Sequence, residues 1–330
     1  LYVMFYPQLV AGPIERPQNL LHQFREEHHF DYSRVTDGLK IMAWGMFKKV
    51  VIADRLALFV NQVYDSPHNY QGLPLIIATV FFAFQIYCDF SGYSDIAIGS
   101  ARVMGFKLMS NFNRPYLSKS ITEFWKRWHI SLSTWFRDYL YIPLGGSRVP
   151  VSRRYFNLFI TFLISGLWHG ASWTFVAWGG LNGLYLIFGI ITRDVRARFI
   201  KNIGLNKIPF LRKTIQIFIT FALTCMAWVF FRAQNIDDAF YIIINSFSGI
   251  FNFSGESSAS LKLLYNGDII TSAMFIVLLL IIEFTQRHGS IREQLLKKPI
   301  VIRWAFYYMV IFTILFFSSG AKEQFIYFQF

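Results

Sequence analysis

The sequence predicts an all-α, polytopic transmembrane protein with amphipathic helices at the membrane interface. Of its 330 residues, 54% are hydrophobic and 15% are charged, whereas soluble domains have about 45–50% and about 25%. Several apolar stretches reach the length of about 20 residues that a helix needs to cross the hydrocarbon core of a bilayer. Lys and Arg residues are concentrated in alternate segments between these stretches, a distribution typical of multi-pass membrane proteins.

Seven stretches qualify as spanning helices. In chain order they lie near residues 41–63, 72–98, 155–172, 173–192, 214–232, 269–286 and 304–321. An interfacial helix is an equal alternative for the first stretch, because it is interrupted by Lys48, Lys49, Asp54 and Arg55. Residues 155–192 contain no Asp, Glu, Lys or Arg, and this run is long enough for a hairpin of two spans.

The basic residues between the spans predict the orientation of the chain in the membrane. Ten, seven and five Lys or Arg residues lie in segments 99–154, 193–213 and 287–303. The alternate segments contain none, one and one, and these are 64–71, 233–268 and the tail from 322. The positive-inside rule therefore places the basic segments in the cytoplasm. The alternation also supports the seven spans, because one missed or invented span would have disrupted it.

Charge and motifs argue against several functional classes. The formal net charge of +13 does not indicate nucleic-acid binding, because the charge lies in loops between spans and not on one face of a soluble body. The sequence contains no P-loop, dinucleotide-binding glycine pattern or GxSxG elbow, so neither nucleotide hydrolysis nor a serine triad is indicated. His28 and His29 are adjacent and lack an evident third ligand, so we predict no metal site. Membrane lipid is the first expected partner.

Residues 120–140, SITEFWKRWHISLSTWFRDYL, are predicted to form one amphipathic helix in the membrane interface. Ser120 and Glu123 have the spacing of a capping box, and Glu123 with Arg127 forms a favourable i,i+4 pair. An apolar stripe follows at steps of four and three, and it consists of Ile121, Trp125, Trp128, Leu132, Trp135 and Tyr139. Tryptophans on one face and cations on the other are typical of an interfacial helix.

Two histidines are candidate functional residues. His129 lies beside the apolar stripe, and a packed histidine that bonds to a neighbour is the alternative to a functional role. His169 lies in SGLWHGASW, about 14 residues into its span, so a straight helix places it about 21 Å into the membrane. Ionisable groups at this depth usually line a cavity, and Gly166 and Gly170 would let backbone or substrate approach. A histidine that packs and donates to a carbonyl is again the alternative.

Asp89 and Asp95, in YCDFSGYSD, are the ionisable residues near another span. Their spacing of six residues places them on different faces of a helix, which argues against a paired acid and base. For Asp89 we favour a structural role with a buried polar partner over a catalytic role.

The ends of the chain and one internal stretch bear on its organisation. The first residues, LYVMFYPQLVA, have the pattern of a helix already under way. We therefore expect the sequence to be a fragment. Residues 249–260, GIFNFSGESSAS, are predicted to be a flexible loop.

Five motifs occur in order along almost the whole chain. They are PQLVAGPIERP, YCDFSGYSDIAIGSARVMGF, NFNRPYLSKSITEFWKRWHISLSTWFRDYLYIPLGG, ITFLISGLWHGASWTFVAWGGLNG and FIYFQF. Together they resemble the membrane-bound O-acyltransferase (MBOAT) family, in its bacterial branch of alginate O-acetylase membrane subunits and peptidoglycan O-acetyltransferases. The D-alanyl transfer protein of teichoic acid modification shares part of the pattern and is the nearest alternative within the family.

The resemblance implies an acyltransferase of the bacterial cytoplasmic (inner) membrane. It also implies a single membrane domain, residues 1–330, that lacks its N-terminal spans. By this resemblance His169 corresponds to the catalytic histidine of the family and His129 to its second functional histidine. Acetyl coenzyme A or another acyl thioester would be the co-substrate, with no tightly bound cofactor. The acceptor would be an extracytoplasmic polysaccharide, and a periplasmic SGNH-type acetyltransferase would be a partner. A transporter of lipid-linked sugar and a scaffold for a periplasmic partner are the alternatives from other classes.

We expect the two histidines to mark two ends of a protein-lined passage, with His129 on the basic side and His169 toward the opposite side. His169 would act as general base on the acceptor hydroxyl, with a covalent acyl-histidine as the alternative. His129 would orient or activate the donor. Nearby cations would attract the donor phosphates, or would instead serve topology and bind anionic lipid, and they are Lys119, Lys126, Arg127 and Arg137.

Overall fold

A computed structural model describes residues 2–248, 267–286, 291–318 and 324–326. Within these residues every regular element is a helix, which confirms the all-α prediction. The loop predicted at 249–260 lies outside the described residues. The chain divides into two compact units, and the prediction of a single domain stays a prediction. Unit 1 consists of Leu1–Val63, Val80–Asn111 and Phe251–Phe330, and unit 2 consists of Tyr64–Thr79 and Phe112–Ile250.

The α-helices of the described residues are, in chain order, α1 (Pro17–Leu20), α2 (Tyr32–Met46), α3 (Asp54–Tyr64), α4 (Leu73–Met104), α5 (Ile121–Trp125), α6 (Ile130–Phe136), α7 (Val151–His169), α8 (Trp173–Ile191), α9 (Arg193–Asn202), α10 (Pro209–Arg232), α11 (Ile236–Asn245), α12 (Gly267–Thr285), α13 (Ile291–Leu296) and α14 (Ile300–Phe317). Two π-helical segments follow α2 and α6, at Phe47–Ala53 and Arg137–Tyr141. Short 3₁₀ helices lie at Tyr6–Gln8, Gln23–Arg25, Pro67–Asn69, Pro115–Leu117 and Leu205–Lys207.

Five helices of the described residues are long and apolar enough to cross a membrane, namely Leu73–Met104, Trp173–Ile191, Pro209–Arg232, Asp268–Thr285 and Ile300–Phe317. They correspond to five of the seven predicted spans. Helix α7 occupies a sixth predicted span, but it is less apolar because its first two turns contain Arg153, Arg154 and Asn157. The stretch at 41–63 instead consists of the end of α2, a π-helical segment and α3, in keeping with its interrupted apolar pattern.

In unit 1, helices α2 and α4 touch along two pairs of glycines. A Cβ atom on Gly38 would lie 2.7 Å from the carbonyl oxygen of Gly99, and one on Gly45 would lie 2.5 Å from that of Gly92. Real Cβ atoms do not approach backbone so closely, so larger residues would force the helices apart. Close approach through small residues is a common way for membrane helices to pack.

Buried ion pairs connect the same part of unit 1. Lys48 Nζ lies 2.8 Å from Asp95 Oδ2, and Lys49 Nζ lies 2.7 Å from Asp89 Oδ1. Asp89 also accepts a hydrogen bond of 2.7 Å from the backbone N–H of Ile326. Lys48 and Asp89 are both buried. The two aspartates therefore engage different lysines, and Asp89 has the buried polar partner that a structural role requires.

In unit 2, helices α7 and α8 form the hairpin that the charge-free run predicts. Ser172 begins α8 by accepting a hydrogen bond from the backbone N–H of Thr174. Gly166 of α7 lies against the carbonyl oxygen of Phe175, and Gly179 of α8 lies against that of Phe162, both too close for a Cβ atom. The expected close approach at Gly166 is thus made by the backbone of the neighbouring helix.

The prediction of one continuous helix over residues 120–140 is wrong. It begins as predicted, with Ser120 Oγ accepting from the backbone N–H of Glu123, and Glu123 pairs with Arg127 at 2.6 Å. However, α5 ends at Trp125 and α6 begins only at Ile130. The carbonyl oxygen of Arg127 accepts from the backbone N–H of Asn113 at 2.9 Å, so a distant loop takes an acceptor that a continuous helix would use.

The apolar stripe of this segment faces the interior of unit 2 over its first half. Ile121, Trp128 and Leu132 are at most 7% exposed, whereas Trp135 and Tyr139 are 37% and 57% exposed. Protein packing, and not the membrane interface, therefore covers the first half of the predicted interfacial helix.

Candidate active site

His169 is the last residue of α7, and its imidazole lies where the ends of three helices meet. Its ring centroid is 5.2 Å from that of Trp178, in the second turn of α8, and 5.2 Å from that of Phe231, near the end of α10. Trp168, the preceding residue, also contacts the ring at 5.2 Å. His169 keeps part of its surface exposed, so packing orients the imidazole without enclosing it completely.

His129 lies in the break between α5 and α6, immediately before α6. Its backbone is left-handed, with φ 41° and ψ 57°, a conformation that residues other than glycine rarely adopt. Strained backbone of this kind often occurs at functional sites. The break turns His129 into the protein, where the residue is only 5% exposed.

The environment of His129 favours the neutral imidazole. Burial and, secondly, the His169 imidazole hold the pKa of His129 well below its usual range. A neutral imidazole has one ring nitrogen that donates and one that accepts a hydrogen bond. Because the His169 imidazole contributes to this pKa shift, the two imidazoles lie near each other in unit 2.

This arrangement differs from the expected passage with one histidine at each end. The expectation placed His129 on the cytoplasmic side, because it assumed one helix lying flat in the interface. The break after Trp125 instead lets the segment pack inside unit 2, where Trp128 contacts Trp228. The structure thus brings His129 and His169 together.

An aromatic cluster lines this region, and we define it as Trp128, Phe175, Trp178, Trp228 and Phe231. The indoles of Trp178 and Trp228 are stacked, with ring centroids 6.0 Å apart and planes at 17°. Phe231 contacts Phe175, Trp178 and Trp228 at 5.1 to 5.3 Å. Every member is at most 7% exposed. His169 contacts Trp178 and Phe231 of this cluster, and His129 directly follows Trp128 in the chain. Electrostatic interactions beside such a buried apolar cluster are stronger than in water.

Asn182 is a polar residue of this region that the sequence analysis missed. It is 3% exposed, accepts a hydrogen bond of 3.3 Å from Trp125 Nε1, and donates one of 2.8 Å to the backbone carbonyl of Trp178. Asn182 thereby connects α5 to the part of α8 that contacts His169. A buried amide within a charge-free apolar run is the signal that could have identified it.

The four predicted donor-phosphate residues have different surroundings. Lys119 and Lys126 are exposed. Arg127 is paired with Glu123 at 2.6 Å, and Arg137 is exposed and paired with Asp138 at 2.8 Å. Their role in donor binding stays a prediction. Of the four, the two lysines are the better candidates, because both arginines already have carboxylate partners.

The described parts of the chain contain no recognisable set of metal ligands. There, no group of three or more His, Cys, Asp or Glu side chains is arranged to hold a metal ion. The chemistry that these side chains can supply is acid–base catalysis by the two imidazoles. A neutral histidine beside a second histidine can remove a proton from a hydroxyl and return it to a leaving group.

Comparison with known proteins finds a matching family model and several proteins of similar sequence. The sequence model of the MBOAT, membrane-bound O-acyltransferase family, matches residues 1–231. The chain is 41% identical over 270 residues to a probable alginate O-acetylase, AlgI, of Pseudomonas aeruginosa, covering 82% of this chain and 49% of that protein. It is 35% identical over 344 aligned positions to a peptidoglycan O-acetyltransferase of Helicobacter pylori, covering 100% of this chain and 64% of that protein.

A more distant relative is a teichoic acid D-alanyltransferase of Streptococcus thermophilus. The identity is 28% over 252 residues, covering 70% of this chain and 60% of that protein. The chain therefore spans between 49% and 64% of the length of these three relatives.

Proposed function

This chain belongs to the membrane-bound O-acyltransferase family, as its motifs predicted, and we propose that it transfers an acyl group from a cytoplasmic thioester to a hydroxyl of an extracytoplasmic polysaccharide. We place it in the cytoplasmic (inner) membrane of a bacterium. The relatives are bacterial proteins, and five helices of the described residues are apolar enough to span a bilayer. Acetyl coenzyme A is the proposed donor, used as a co-substrate.

The observation that carries this proposal is that His129 and His169 lie in the same part of unit 2, close enough for the His169 imidazole to help lower the pKa of the buried His129. A transport path needs polar groups distributed along its length. Two neighbouring imidazoles beside an apolar wall instead suit proton transfer at a single reacting centre. The same pair supports catalysis over a scaffold role, for which His129 would not need to be buried in a left-handed backbone conformation.

We assign His169 as the general base. Its imidazole would accept the proton of the acceptor hydroxyl, whose oxygen attacks the carbonyl carbon of the acyl group. His129, which is more buried, would hold the acyl donor in position through its neutral imidazole. Base catalysis of this kind typically accelerates a reaction by about 10²- to 10⁴-fold.

The helix ends at the site support delivery of the acyl group to the outer side. His169 ends α7, Trp178 is near the start of α8, and Phe231 is near the end of α10. Basic segments precede α7 and α10 and follow α8, so the positive-inside rule places the His169 end of these helices away from the cytoplasm. His129 belongs to the basic segment 99–154 and would reach the site from the cytoplasmic side. The donor thioester would approach from the basic side and the acceptor from the opposite side.

Acetyl is preferred over D-alanyl as the transferred group. The relatives named for O-acetylation are 41% and 35% identical over 82% and 100% of this chain, whereas the D-alanyltransferase is 28% identical over 70%. A periplasmic SGNH-type acetyltransferase remains the proposed partner. A relay is the alternative to direct transfer, in which a hydroxyl of this partner would accept the acyl group first and the partner would then pass it to the polysaccharide.

The test is acyl transfer in proteoliposomes that contain the complete protein and acetyl coenzyme A labelled in the acetyl group. His169→Ala is expected to remain folded and to lose transfer, and His129→Ala is expected to be severely impaired. His68→Ala is the matched control, because His68 is a surface residue of unit 2 whose ring pairs with Asp238 at 3.0 Å. Normal product formation by folded His169→Ala would remove the proposed base. Sealed vesicles that move solute without labelling any product would indicate a transporter.

A further inference from the structure

Trp228 of α10 carries a buried hydrogen-bond donor for which the described part of the chain offers no acceptor. The residue is 2% exposed, and its indole Nε1 has no hydrogen-bond acceptor among the described residues. Buried tryptophans usually find a partner for this N–H, because an unpaired buried donor is unfavourable. Trp125 of the same unit follows that rule, since its Nε1 donates to Asn182 Oδ1. The unused donor of Trp228 therefore calls for an explanation.

Its position links it to both histidines. The indole of Trp228 lies 5.1 Å from that of Trp128, the residue that precedes His129. It lies 5.3 Å from the ring of Phe231 and stacks on Trp178 at 6.0 Å. The rings of Phe231 and Trp178 both contact His169. This N–H therefore belongs to a residue that packs against three other members of the aromatic cluster, which contacts His169 and includes the residue before His129.

We propose that the indole N–H of Trp228 donates a hydrogen bond to the carbonyl oxygen of the acyl group during its transfer. This proposal rests on the proposed acyltransferase function and adds a third catalytic residue to it. The N–H group would stabilise negative charge that develops on this oxygen only as the reaction proceeds. The indole is held in place by the rings of Trp128, Trp178 and Phe231. Pre-oriented donors in a dry environment stabilise a developing oxyanion more effectively than water does.

The reaction step follows from these three side chains. The acceptor hydroxyl oxygen forms a bond to the acyl carbonyl carbon and gives its proton to the His169 imidazole. The electron pair of the C=O bond moves to oxygen, and this oxyanion accepts the hydrogen bond from Trp228 Nε1. When the C=O bond re-forms, the bond between carbon and the thioester sulfur breaks. The sulfur leaves as a thiol with the proton from His169, and the acyl group stays on the acceptor as an O-ester.

The test replaces the N–H and keeps the shape of the ring. Trp228 is exchanged for 3-benzothienylalanine by codon suppression in the complete protein, which puts sulfur in place of the N–H group, and Trp228→Phe is prepared as the genetically simple variant. We expect kcat for labelled acetyl transfer to fall by about 10²-fold, the usual effect of removing one oxyanion donor. The KM for acetyl coenzyme A should change little. With 3-benzothienylalanine the unfolding temperature should stay the same or rise, because no acceptor in the described protein loses its donor. Trp228→Phe should lower the unfolding temperature, because the smaller ring leaves a cavity among the packed aromatic rings.

The matched control is the same exchange at Trp125. There the analogue removes an N–H that Asn182 Oδ1 accepts, so the unfolding temperature should fall. A wild-type kcat with 3-benzothienylalanine at position 228 would overturn the proposal, and so would a raised KM with unchanged kcat. If His169→Ala is inactive while the analogue at position 228 is fully active, only the role of Trp228 fails. If His169→Ala is also fully active, the acyltransferase mechanism itself fails.

Discussion

The imidazole of His169 and the indole of Trp178 meet edge to face, with ring centroids 5.2 Å apart and planes at 88°. His169 ends α7 and Trp178 lies in the second turn of α8, so this contact depends on the distance between the two helices. Gly166 and Gly179 set that distance, because each lies against a backbone carbonyl of the other helix. Helix packing therefore orients the proposed base.

Substitution of Gly166 tests this dependence. Gly166→Ala places a Cβ atom against the carbonyl oxygen of Phe175, and we expect a loss of about 1–3 kcal/mol in stability from overpacking. Acyl transfer per folded molecule should also fall, because the helices must separate beside His169. Thermal unfolding in detergent and labelled acetyl transfer measure the two effects.

Gly189→Ala is the control for that experiment, since a Cβ atom on Gly189 of α8 would meet no atom within 4 Å. It should be neutral or stabilise by up to about 1 kcal/mol through helix propensity. Equal behaviour of the two alanine variants would show that glycine packing does not set the geometry of His169.

The buried state of His129 predicts a dependence of stability on pH. Its pKa is lowered in the folded protein, so below its ordinary value of about 6.5 the unfolded chain binds more protons. Titration of His129 therefore leaves the free energy of unfolding unchanged above about pH 6.5. Below that pH the free energy of unfolding decreases until the pH reaches the pKa of His129 in the folded protein. His129→Asn, which tolerates the left-handed backbone, should show a weaker fall of unfolding temperature between pH 7 and pH 5. An unchanged pH dependence in this variant would mean that His129 is not the group responsible.

Local patterns predicted much of the fold. The apolarity of a 20-residue stretch is a property of that stretch alone, so the positions of α4, α8, α10, α12 and α14 could be predicted. The cap at Ser120 and the pair between Glu123 and Arg127 are also local, since their members are three and four residues apart.

The site could be predicted only in part. The resemblance of motifs selected His129 and His169, but the sequence did not show that they lie together. The break before His129 involves the N–H of Asn113, and the ring contacts of His169 involve Phe231, which is 62 positions further along the chain. Such long-range contacts leave no periodic signal. The proposed role of Trp228 depends on the lack of an acceptor among the residues that the structure describes, and only a structure can reveal such a lack.

The exposed lysines near His129 predict how the donor binds. If Lys119 and Lys126 contact the phosphates of coenzyme A, the double variant Lys119→Gln, Lys126→Gln should raise the KM for acetyl coenzyme A by about 3- to 10-fold. This magnitude fits the loss of two exposed charge contacts, each worth up to about 1 kcal/mol. The KM for acetyl-pantetheine, which lacks the nucleotide phosphates, should not change.

Lys201→Gln is the control for the donor experiment, because Lys201 is an exposed cation of α9 in another basic segment. It should leave both KM values unchanged. If the double variant also leaves the KM for acetyl coenzyme A unchanged, the lysines serve topology or lipid binding instead.

Substitution of Asp89 should lower the stability of the protein without lowering acyl transfer per folded molecule. Lys49 lies 2.7 Å from Asp89, which also accepts the backbone N–H of Ile326. Asp89→Ala removes both interactions, although Lys49 keeps a carboxylate partner in Asp54 at 2.7 Å. We therefore expect a loss of about 1–3 kcal/mol, the usual cost of leaving a buried donor such as the Ile326 N–H without its acceptor. Asp65→Ala is the control, because its pair with Arg232 is 3.4 Å long and Asp65 is 57% exposed, so it should cost less than about 1 kcal/mol. Detergent unfolding gives the stabilities, and acyl transfer per folded molecule should be similar for both variants. A stable but inactive Asp89→Ala protein would show that this carboxylate takes part in the reaction and not only in the packing of α4.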